Sequence, residues 1–529
     1  ASVNIENSYH ATVGEKTQYV PFNGICLTDT FQLGENADEN ALYTPALKQN
    51  SERVQAQQKA PIQVIIGNPP YSVGQKSAND NAQNQHYPKL EARITATYAR
   101  QSSAALKKSL YDSYVKAFRW ASDRLPKNQG GINASWLDGN AMDGMRKCLE
   151  QEFSEIYVFN LRGNQRTSGE TSRREGGKIF GSGSRTPIAI TVLIRNPAHK
   201  GKAIIHYHDI GDYLSRDEKL AIVAKEKSVL NPEMDWTQLH PNAHGDWLNQ
   251  RNDVFSSFIP LGDKKSTANK QTFFYPLYSN GVKTNRDAWC WNYSKFKVER
   301  NVSASIDFYN GEIRSIENLI KSGTEINSNN VLDFVSQNNI IMSWDRQQRK
   351  DVICGKVYKF SKYSIYNGMY RPFNKLVCYF NRQFNNCVYK IPNIFPEYKY
   401  NNNVICVSGV GVLKNFSCIV TNFLPDVQLL SNVQCFPLYW YDKKTLYQPT
   451  LFDGKNTAQY TRHDGITDFI LERCRTNYSP KVTKEDIFYY VYGLLHSPDY
   501  RRTFAADLKK ELPRLPLVEK PADFWAFSK

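Results

Sequence analysis

The chain has 529 residues. Because a single hydrophobic core stops growing at roughly 250–300 residues, about two to four domains are expected. Hydrophobic residues make up 41% and charged residues 22%, which excludes a disordered or collagen-like protein. The 67 Lys and Arg against 51 Asp and Glu leave a net charge of +16, which favours an acidic partner, most often nucleic acid. Aromatic residues, at 13%, suit stacking on flat ligands, but a Tyr-rich β-domain core would give the same figure.

The first part of the chain alternates strand-like and helical segments. Short apolar runs predict buried strands at residues 64–66, 132–135, 156–159 and 188–194. Helical composition predicts helices around residues 53–57, within 89–125 (one or two) and at about 140–153. This alternation is typical of an α/β domain with parallel strands, which we place at residues 1–240.

The composition changes after about residue 241. Residues 346–399 hold 11 Lys or Arg, two acidic residues and 12 Tyr or Phe. Short strands are expected there and up to residue 440, and the helical signals return at 464–475, 484–495 and 500–512. We therefore place a second, basic and aromatic domain at residues 241–529, with a helical part from about residue 460.

The cysteines and histidines predict no metal site. The ten cysteines are scattered and form no Cys-x-x-Cys pair, which is typical of free thiols in a reducing cytoplasm. His206 and His208 alternate as strand residues do, but no third ligand lies near them in the sequence. No apolar run reaches the roughly 18 residues of a membrane span, and no membrane partner is expected.

The motif with the clearest chemistry is Asn68-Pro69-Pro70-Tyr71, directly after the predicted strand at 64–66. Two prolines remove two amide donors and leave carbonyl acceptors, and the Asn side chain adds another. An exocyclic amine such as N6 of adenine could donate one hydrogen to Asn68 and one to the Pro69 carbonyl. Tyr71 would then stack on the flipped base. The alternative is an ordinary Asn-Pro turn.

The tetrapeptide resembles the signature of amino-methyltransferases that use S-adenosylmethionine, chiefly DNA N6-adenine enzymes. Four further segments extend the resemblance: NASWLDG (133–139), VFNLRGN (158–164), GGKIFGSGSRTPIAI (176–190) and YGLLHSPDYR (492–501). Together they closely resemble the methyltransferase and specificity region of type ISP restriction–modification enzymes. Those are single chains with nuclease, helicase-like ATPase, methyltransferase and target-recognition domains in that order. The resemblance covers nearly the whole chain.

The resemblance implies an α/β, Rossmann-like methyltransferase domain with a mixed, mostly parallel sheet, incomplete at its N-terminus, and an α+β target-recognition domain. It implies methyl transfer from S-adenosylmethionine to N6 of a flipped adenine in a specific duplex DNA sequence. The expected partners are duplex DNA and the missing nuclease and ATPase domains of the same polypeptide, in a bacterial cytoplasm.

The resemblance also implies roles for single residues. The catalytic residues would be Asn68, Pro69, Pro70 and Tyr71, with Tyr71 also stacking on the base. Phe180 stands where the broader class places a second stacking aromatic, and its alternative is a core residue. Asp29 falls where the family places an acid near the cofactor's adenine, although a helix cap is an equal alternative.

A second candidate surface lies in residues 160–202, which hold nine Lys or Arg against two Glu. Gly and Ser residues punctuate this segment, and we predict a loop that touches DNA phosphates, with a merely solvated loop as the alternative. The predicted contacts are Arg162, Arg166, Arg173, Arg174, Lys178 and Arg185. Gly176-Gly177-Lys178 is no phosphate-binding loop of an ATPase, because Ile179 stands where Ser or Thr should bind magnesium.

Two other functions remain open at this point. A DNA-binding specificity module without catalysis would bind duplex DNA in a salt-sensitive way and transfer no methyl group. An enzyme of the same fold could act on another amine, such as N4 of cytosine or a protein glutamine. The large basic second domain argues against a protein substrate.

The cofactor-binding loop of the family, and the acid that holds the cofactor ribose, are not recognisable in residues 1–67, so we expect a piece of a longer chain. This predicts that the 529-residue chain binds S-adenosylmethionine poorly or not at all. Titration calorimetry with the cofactor measures this directly, and micromolar binding would contradict the prediction.

Overall fold

The computed structural model divides into two compact units, Ala1–Gln250 and Arg251–Lys529. It describes residues 2–14, 18–22, 24–32, 35, 48–69, 85–104, 106–125, 136–180, 185–264, 271–412, 414–443 and 460–529. Within this described part of the chain, no helix is both long enough and apolar enough to cross a membrane.

The first unit combines seven helices and four strands in its described residues. The helices are α1 (Ser2–Val13), α2 (Lys48–Lys59), α3 (Pro88–Ile94), α4 (Ser113–Arg124), α5 (Asp143–Glu152), α6 (Gly169–Glu175) and α7 (Arg216–Glu226). The strands are β1 (Glu155–Arg162), β2 (Ile188–Ile194), β3 (Ile204–Asp209) and β4 (Thr237–Leu239). The helices predicted around 53–57, in 89–125 and near 140–153, and the strands predicted at 156–159 and 188–194, are confirmed. The predicted strand at 132–135 lies outside the described residues.

The sheet of the first unit has the order β2-β1-β3-β4. Strand β1 runs parallel to β3, but β1–β2 and β3–β4 are antiparallel pairs. The prediction of a mostly parallel sheet is therefore wrong for the described strands. The reason is that the chain turns back after β1, through α6, and pairs β2 directly against β1.

The strand predicted at residues 64–66 is also wrong. Residues 61–69 have no regular secondary structure, and Val64 and Ile66 are 58% and 86% exposed. A β-branched run becomes a strand only where a neighbouring strand accepts its backbone hydrogen bonds. No described strand pairs with this segment, so its strand propensity has no partner.

Two apolar clusters hold the first unit together. One joins α4 and α5 to the sheet and includes Trp136 and Trp247, whose rings meet edge to face at 4.9 Å. Gly144 of α5 lies against the Tyr98 carbonyl so closely that a Cβ atom could not fit. The smaller cluster contains Phe159 of β1 and Ile179. Helix α5 therefore packs backbone to backbone against the segment that contains Tyr98.

The second unit is a mixed α/β structure with several small sheets. Its strands are β5 (Ile259–Pro260), β6 (Ser279–Asn280), β7 (Trp291–Asn292), β8 (Ile365–Arg371), β9 (Asn374–Tyr379), β10 (Val404–Val407), β11 (Cys418–Thr421), β12 (Leu424–Pro425), β13 (Gln434–Pro437), β14 (Tyr439–Lys443), β15 (Tyr460–Asp464) and β16 (Arg514–Leu515). The two larger sheets have the orders β11-β10-β13-β6 and β12-β8-β9-β7. The short strands expected between residues 346 and 440 are confirmed.

Several helices of the second unit, the longest of them included, lie outside the helical segments that the sequence predicted. The helices of this unit are α8 (Asp287–Cys290), α9 (Lys295–Lys321), α10 (Arg346–Ile353), α11 (Ile391–Ile394), α12 (Asp468–Asn477), α13 (Lys484–His496), α14 (Pro498–Thr503), α15 (Ala505–Lys510) and α16 (Pro521–Ser528). Helix α9 has 27 residues and buries Val298, Val302 and Ile306 at helical spacing. Its Val, Ser and Asn residues have low helix propensity, so packing and not propensity defines this helix.

A buried guanidinium group joins distant segments of the second unit. Arg286 is 1% exposed, and its Nη2 donates to the Ser343 carbonyl at 2.7 Å and to the side chain of Gln348. Its Nη1 lies 3.1 Å from Asp345 and donates to the Phe384 carbonyl at 2.9 Å. Burial by itself would raise the pKa of Asp345, but Arg286 and local hydrogen bonds hold that pKa below its usual value. The ion pair therefore stabilises the fold when both groups are charged.

We predict that Arg286→Met lowers the free energy of unfolding by about 3–5 kcal/mol, because it removes the positive charge that balances Asp345 and the donor to the Ser343 and Phe384 carbonyl groups. Urea denaturation followed by circular dichroism measures the change. Arg300→Met is the matched control, since Arg300 is an exposed residue of α9, and it should change stability by less than about 0.5 kcal/mol. Equal effects of the two substitutions would contradict this role of Arg286.

Candidate base pocket and nucleic-acid interface

Asn68 and Pro69 line a cavity of about 290 Å³ in the first unit. The remaining lining residues come from the loop after Asp29, from the residues just before Asn68, from α4 and its C-terminal end, from the end of α5 and from β2, and they are mostly apolar or aromatic. They are Thr30, Phe31, Ile65, Ile66, Gly67, Ala117, Phe118, Trp120, Ala121, Ser122, Leu125, Phe153 and Leu193. The sequence predicted Asn68 as a site residue but did not predict Phe118 or Trp120. The i, i+3, i+7 spacing of Phe118, Ala121 and Leu125 predicts one apolar face of a helix, but it does not show that this face lines a cavity.

The cavity has the chemistry of a slot for a flat ring. Phe31, Phe118 and Trp120 offer apolar surface, and Asn68, which is exposed, adds a side-chain amide. Among the described residues that line the cavity there is no carboxylate. These residues therefore fit a purine base. They do not fit the ribose and amino-acid parts of S-adenosylmethionine, whose hydroxyl and ammonium groups need anionic or carbonyl acceptors.

Asp29 directly precedes Thr30, which lines this cavity, and its carboxylate is bonded to its own chain. Its Oδ1 accepts hydrogen bonds from the amides of Phe31 at 3.0 Å and Gln32 at 3.3 Å. Its Oδ2 accepts from the Tyr87 hydroxyl at 2.7 Å. Burial, and then this hydrogen bond, raise the pKa of Tyr87 well above its usual value. The contacts favour the capping alternative, and a role of Asp29 in cofactor binding stays a prediction.

The other predicted base-binding residues are placed only in part. Pro70 and Tyr71 lie outside the described residues. Phe180 is 40% exposed, whereas its neighbour Ile179 is buried in the smaller apolar cluster. The side chain that serves the core is thus Ile179, and Phe180 remains accessible for stacking.

The predicted basic loop contains a helix, α6, so the expectation of an irregular loop at residues 160–202 is wrong in this part. The buried Lys219 ammonium group donates to the Glu175 carbonyl at 2.7 Å and to the Gly177 carbonyl at 2.9 Å. Gly176, with φ of 67°, and Gly177 pack backbone to backbone against the residues before α7, where a Cβ atom would clash. These contacts hold the C-terminal end of α6 against the start of α7.

Arg162 differs from the other predicted phosphate contacts. It has φ of 55°, its Nη2 lies 2.8 Å from Asp209, and its Nη1 pairs with Asp212. Burial alone would lower the pKa of Arg162, but the hydrogen bonds and charges of these two carboxylates raise it. Its positive charge is already balanced inside the first unit. Arg162 therefore orders the segment and contributes little net charge to the surface.

The other five cations form a surface that we call the basic patch: Arg166, Arg173, Arg174, Lys178 and Arg185. Gln165 donates its amide to the Arg185 carbonyl at 3.1 Å and its side chain to the Gly176 carbonyl at 2.9 Å. These bonds bring the three stretches of the patch together. Arg173 lies 3.5 Å from Glu170 and Arg174 lies 4.0 Å from Asp212, distances at which an exposed pair is weak. The patch keeps an excess of positive charge.

In the second unit, the aromatic residues of the basic segment 346–399 lie partly in the core and partly at the surface. Six of its 12 Tyr or Phe residues are buried in the core, among them Tyr358 and Tyr379. Four are exposed: Tyr363, Phe373, Tyr389 and Tyr398. Of the 11 Lys or Arg, nine are exposed. The unit thus has a Tyr-rich core and a cationic surface that carries aromatic side chains.

The two histidines of β3 are engaged in local contacts. The His206 ring stacks on Tyr157 with centroids 4.3 Å apart. Nδ1 of His208 lies 2.7 Å from the Asp235 carbonyl. Among the described residues, no group of three or more His, Cys, Asp or Glu side chains has the arrangement of a metal site.

The comparison with known proteins gives a family match within the second unit. The family model described as Type ISP C-terminal specificity domain matches residues 273–529. No curated protein matches the chain.

Three solved structures are similar over 100% of this chain. A nuclease-deletion mutant of the Type ISP restriction-modification enzyme LlaGI, in complex with a DNA substrate mimic, is 38% identical with a TM-score of 0.82. The ATP-dependent Type ISP enzyme LlaBIII bound to DNA is 35% identical with a TM-score of 0.82, and the DrdV–DNA complex is 32% identical with a TM-score of 0.80. The chain spans 39%, 33% and 49% of these three proteins, respectively.

We predict that replacing Arg166, Arg173 and Arg185 together by Gln weakens binding to duplex DNA. The slope of log affinity against log salt should fall by about one for each phosphate group that these side chains no longer neutralise. Fluorescence anisotropy with a labelled duplex over a salt series gives this slope. Lys225→Gln is the control, because Lys225 is an exposed cation of α7 outside the patch, 3.9 Å from Glu233. An unchanged slope in the triple variant would remove the basic patch from the interface.

Proposed function

The chain belongs to the type ISP restriction–modification enzymes, and we propose that it forms the part of such an enzyme that recognises a DNA sequence and methylates N6 of an adenine within it. The first unit would hold the flipped adenine, and the second unit would read the sequence. Because the chain spans less than half of the three solved relatives, the nuclease and helicase-like ATPase of the longer protein enter only as proposed partners.

The observation that carries the catalytic part is the position of Asn68 and Pro69 on an aromatic cavity of base size. The Asn68 side-chain oxygen and the Pro69 carbonyl are two acceptors on consecutive residues. Each would take one hydrogen of the adenine N6 amine, and the two contacts together would fix the direction of the nitrogen lone pair. Positioning and exclusion of water would then account for catalysis without a strong base.

Other groups of the chain would hold the base in place. Phe31, Phe118 or Trp120 would contact a ring in the cavity, and Tyr71 and Phe180 are the proposed stacking residues. S-adenosylmethionine would supply the methyl group in the intact enzyme. Since the described cavity residues fit only the base, no contact with the rest of the cofactor is assigned to them.

The proposal for DNA recognition is supported by the charge and the family match of the second unit. Its specificity-domain match spans residues 273–529, and most cations of residues 346–399 are exposed. The structures of LlaGI, LlaBIII and DrdV are complexes with DNA or a DNA mimic. By analogy, exposed Arg, Asn and Gln side chains of this unit would contact base edges, and the basic patch of the first unit would contact phosphates.

A second candidate function is a DNA specificity module without catalysis of its own. One observation favours it: residues 61–69 are not part of a sheet, so Asn68 is not held at the end of a strand. A catalytic amide needs a fixed position, and a loop supplies this less well than a strand. The module would bind DNA as strongly as the enzyme and transfer no methyl group. Methylation by the full-length parent separates the two functions.

In the full-length parent protein, we predict that Asn68→Ala lowers the rate of radiolabelled methyl transfer to duplex DNA by about 10²-fold, the effect typical of removing one preorganised hydrogen-bonding group. Binding of duplex DNA should be retained, because the basic patch and the second unit are unchanged. Asn4→Ala, at an exposed position of α1, is the control. Undiminished transfer by Asn68→Ala would exclude Asn68 from the mechanism, and no transfer by the parent itself would favour the module.

A further inference from the structure

The hairpin between β8 and β9 has an unusual residue at its tip. Arg371 pairs with Asn374, so only Pro372 and Phe373 connect the two strands. Phe373 has φ of 64°. Pro followed by a positive φ is the pattern of a type II turn, whose third position normally holds Gly or Asn. A Phe is disfavoured there, because its Cβ approaches the following carbonyl oxygen.

The Phe373 side chain makes almost no packing contribution to the fold. Phe373 is 88% exposed, so it contributes almost no apolar burial to the second unit. An aromatic residue that is both exposed and held in a disfavoured backbone conformation points to an external partner, because strain of this kind concentrates at binding sites.

The base of the hairpin holds the tip in a fixed position. Arg371 pairs with the buried Asp426, and its guanidinium lies 3.9 Å from the Tyr370 ring centroid. On the other strand, Asn374 Oδ1 accepts a hydrogen bond from the hydroxyl of Tyr293 at 2.9 Å. The aromatic side chain thus projects from a rigid support and not from a mobile loop.

The surroundings of the tip are cationic. Lys375 follows directly after Asn374 and is exposed, and its Nζ lies 4.9 Å from the Phe423 ring centroid. Lys295 and Lys297 are exposed in the first turn of α9, two and four residues after Tyr293. An apolar side chain on a positively charged ridge fits a polyanion whose interior is apolar and stacked. Duplex DNA has this character.

We propose that Phe373 is a wedge that inserts between adjacent bases of duplex DNA while the neighbouring lysines contact the phosphates. This rests on the proposed DNA recognition by the second unit and adds a specific mode of contact to it. Insertion opens one base step and bends the duplex, so sequences whose steps unstack easily are favoured. A protein partner is disfavoured, since lysines are depleted at protein–protein interfaces.

The test uses the 529-residue chain and a duplex enriched from a pool with a randomised core, with 2-aminopurine introduced at successive positions. The wild-type chain should unstack one step, seen as a rise in 2-aminopurine emission on binding. Phe373→Gly should abolish the rise and weaken binding about tenfold, the effect of removing one aromatic ring that stacks on a base. Phe373→Leu should keep part of the emission rise and part of the binding affinity, since it retains an apolar side chain.

Stability measurements distinguish a wedge from a structural residue. Gly is favoured at a positive φ, so Phe373→Gly should leave the melting temperature unchanged or raise it. Ile340→Gly removes a side chain that is 86% exposed elsewhere in the same unit, and it should not alter DNA binding. A lower melting temperature in Phe373→Gly would overturn the proposal, because the residue would then support the fold.

The outcomes also separate this proposal from the proposed function. If the wild-type chain enriches no sequence and shows no salt-sensitive binding to duplex DNA, DNA recognition by the chain fails. If it binds an enriched duplex, and Phe373→Gly binds equally well with the same 2-aminopurine signal, DNA recognition stands and the wedge is excluded.

Discussion

A buried positive charge must be surrounded by oxygen atoms, and this requirement organises both units. Arg119 is 2% exposed and lies 2.7 Å from Glu152 and 2.8 Å from Asp123. Arg286 has a comparable set of partners in the second unit. In both places the acids of the chain are used to balance internal cations. Pairs of this kind cancel within the fold and add nothing to the surplus of +16.

The difference between balanced and unbalanced cations explains how far the charge count could predict the basic surface. Counting charges located a basic segment in residues 160–202, but it could not separate Arg162 from Arg173. One is balanced by two carboxylates and the other is exposed at the surface. Their difference depends on contacts with Asp209 and Asp212, which are more than 40 residues away from Arg162 in the sequence. Charge balance at this range is a property of the fold.

Secondary structure was predictable where burial follows a regular period. Strand β2 has the predicted bounds, and α13 matches its predicted range within one residue. The strand at 64–66 failed because its apolar residues need a neighbouring strand, and none of the described strands pairs with them. Helix α9 was missed for the opposite reason, since its packing overrides a weak local preference. The tetrapeptide at 68–71 was recognised by its chemistry, while the aromatic wall from α4 became visible only in three dimensions.

Gly176 and Gly177, between α6 and β2, determine where α6 lies. They set the place of α6 through backbone contacts with the chain before α7, and Lys219 adds bonds to carbonyl groups only. No side chain of α6 itself is buried. The composition of that helix surface can therefore drift under selection while its location stays constant. Substitutions in α6 can therefore change the charge of this surface without disturbing the packing of the first unit.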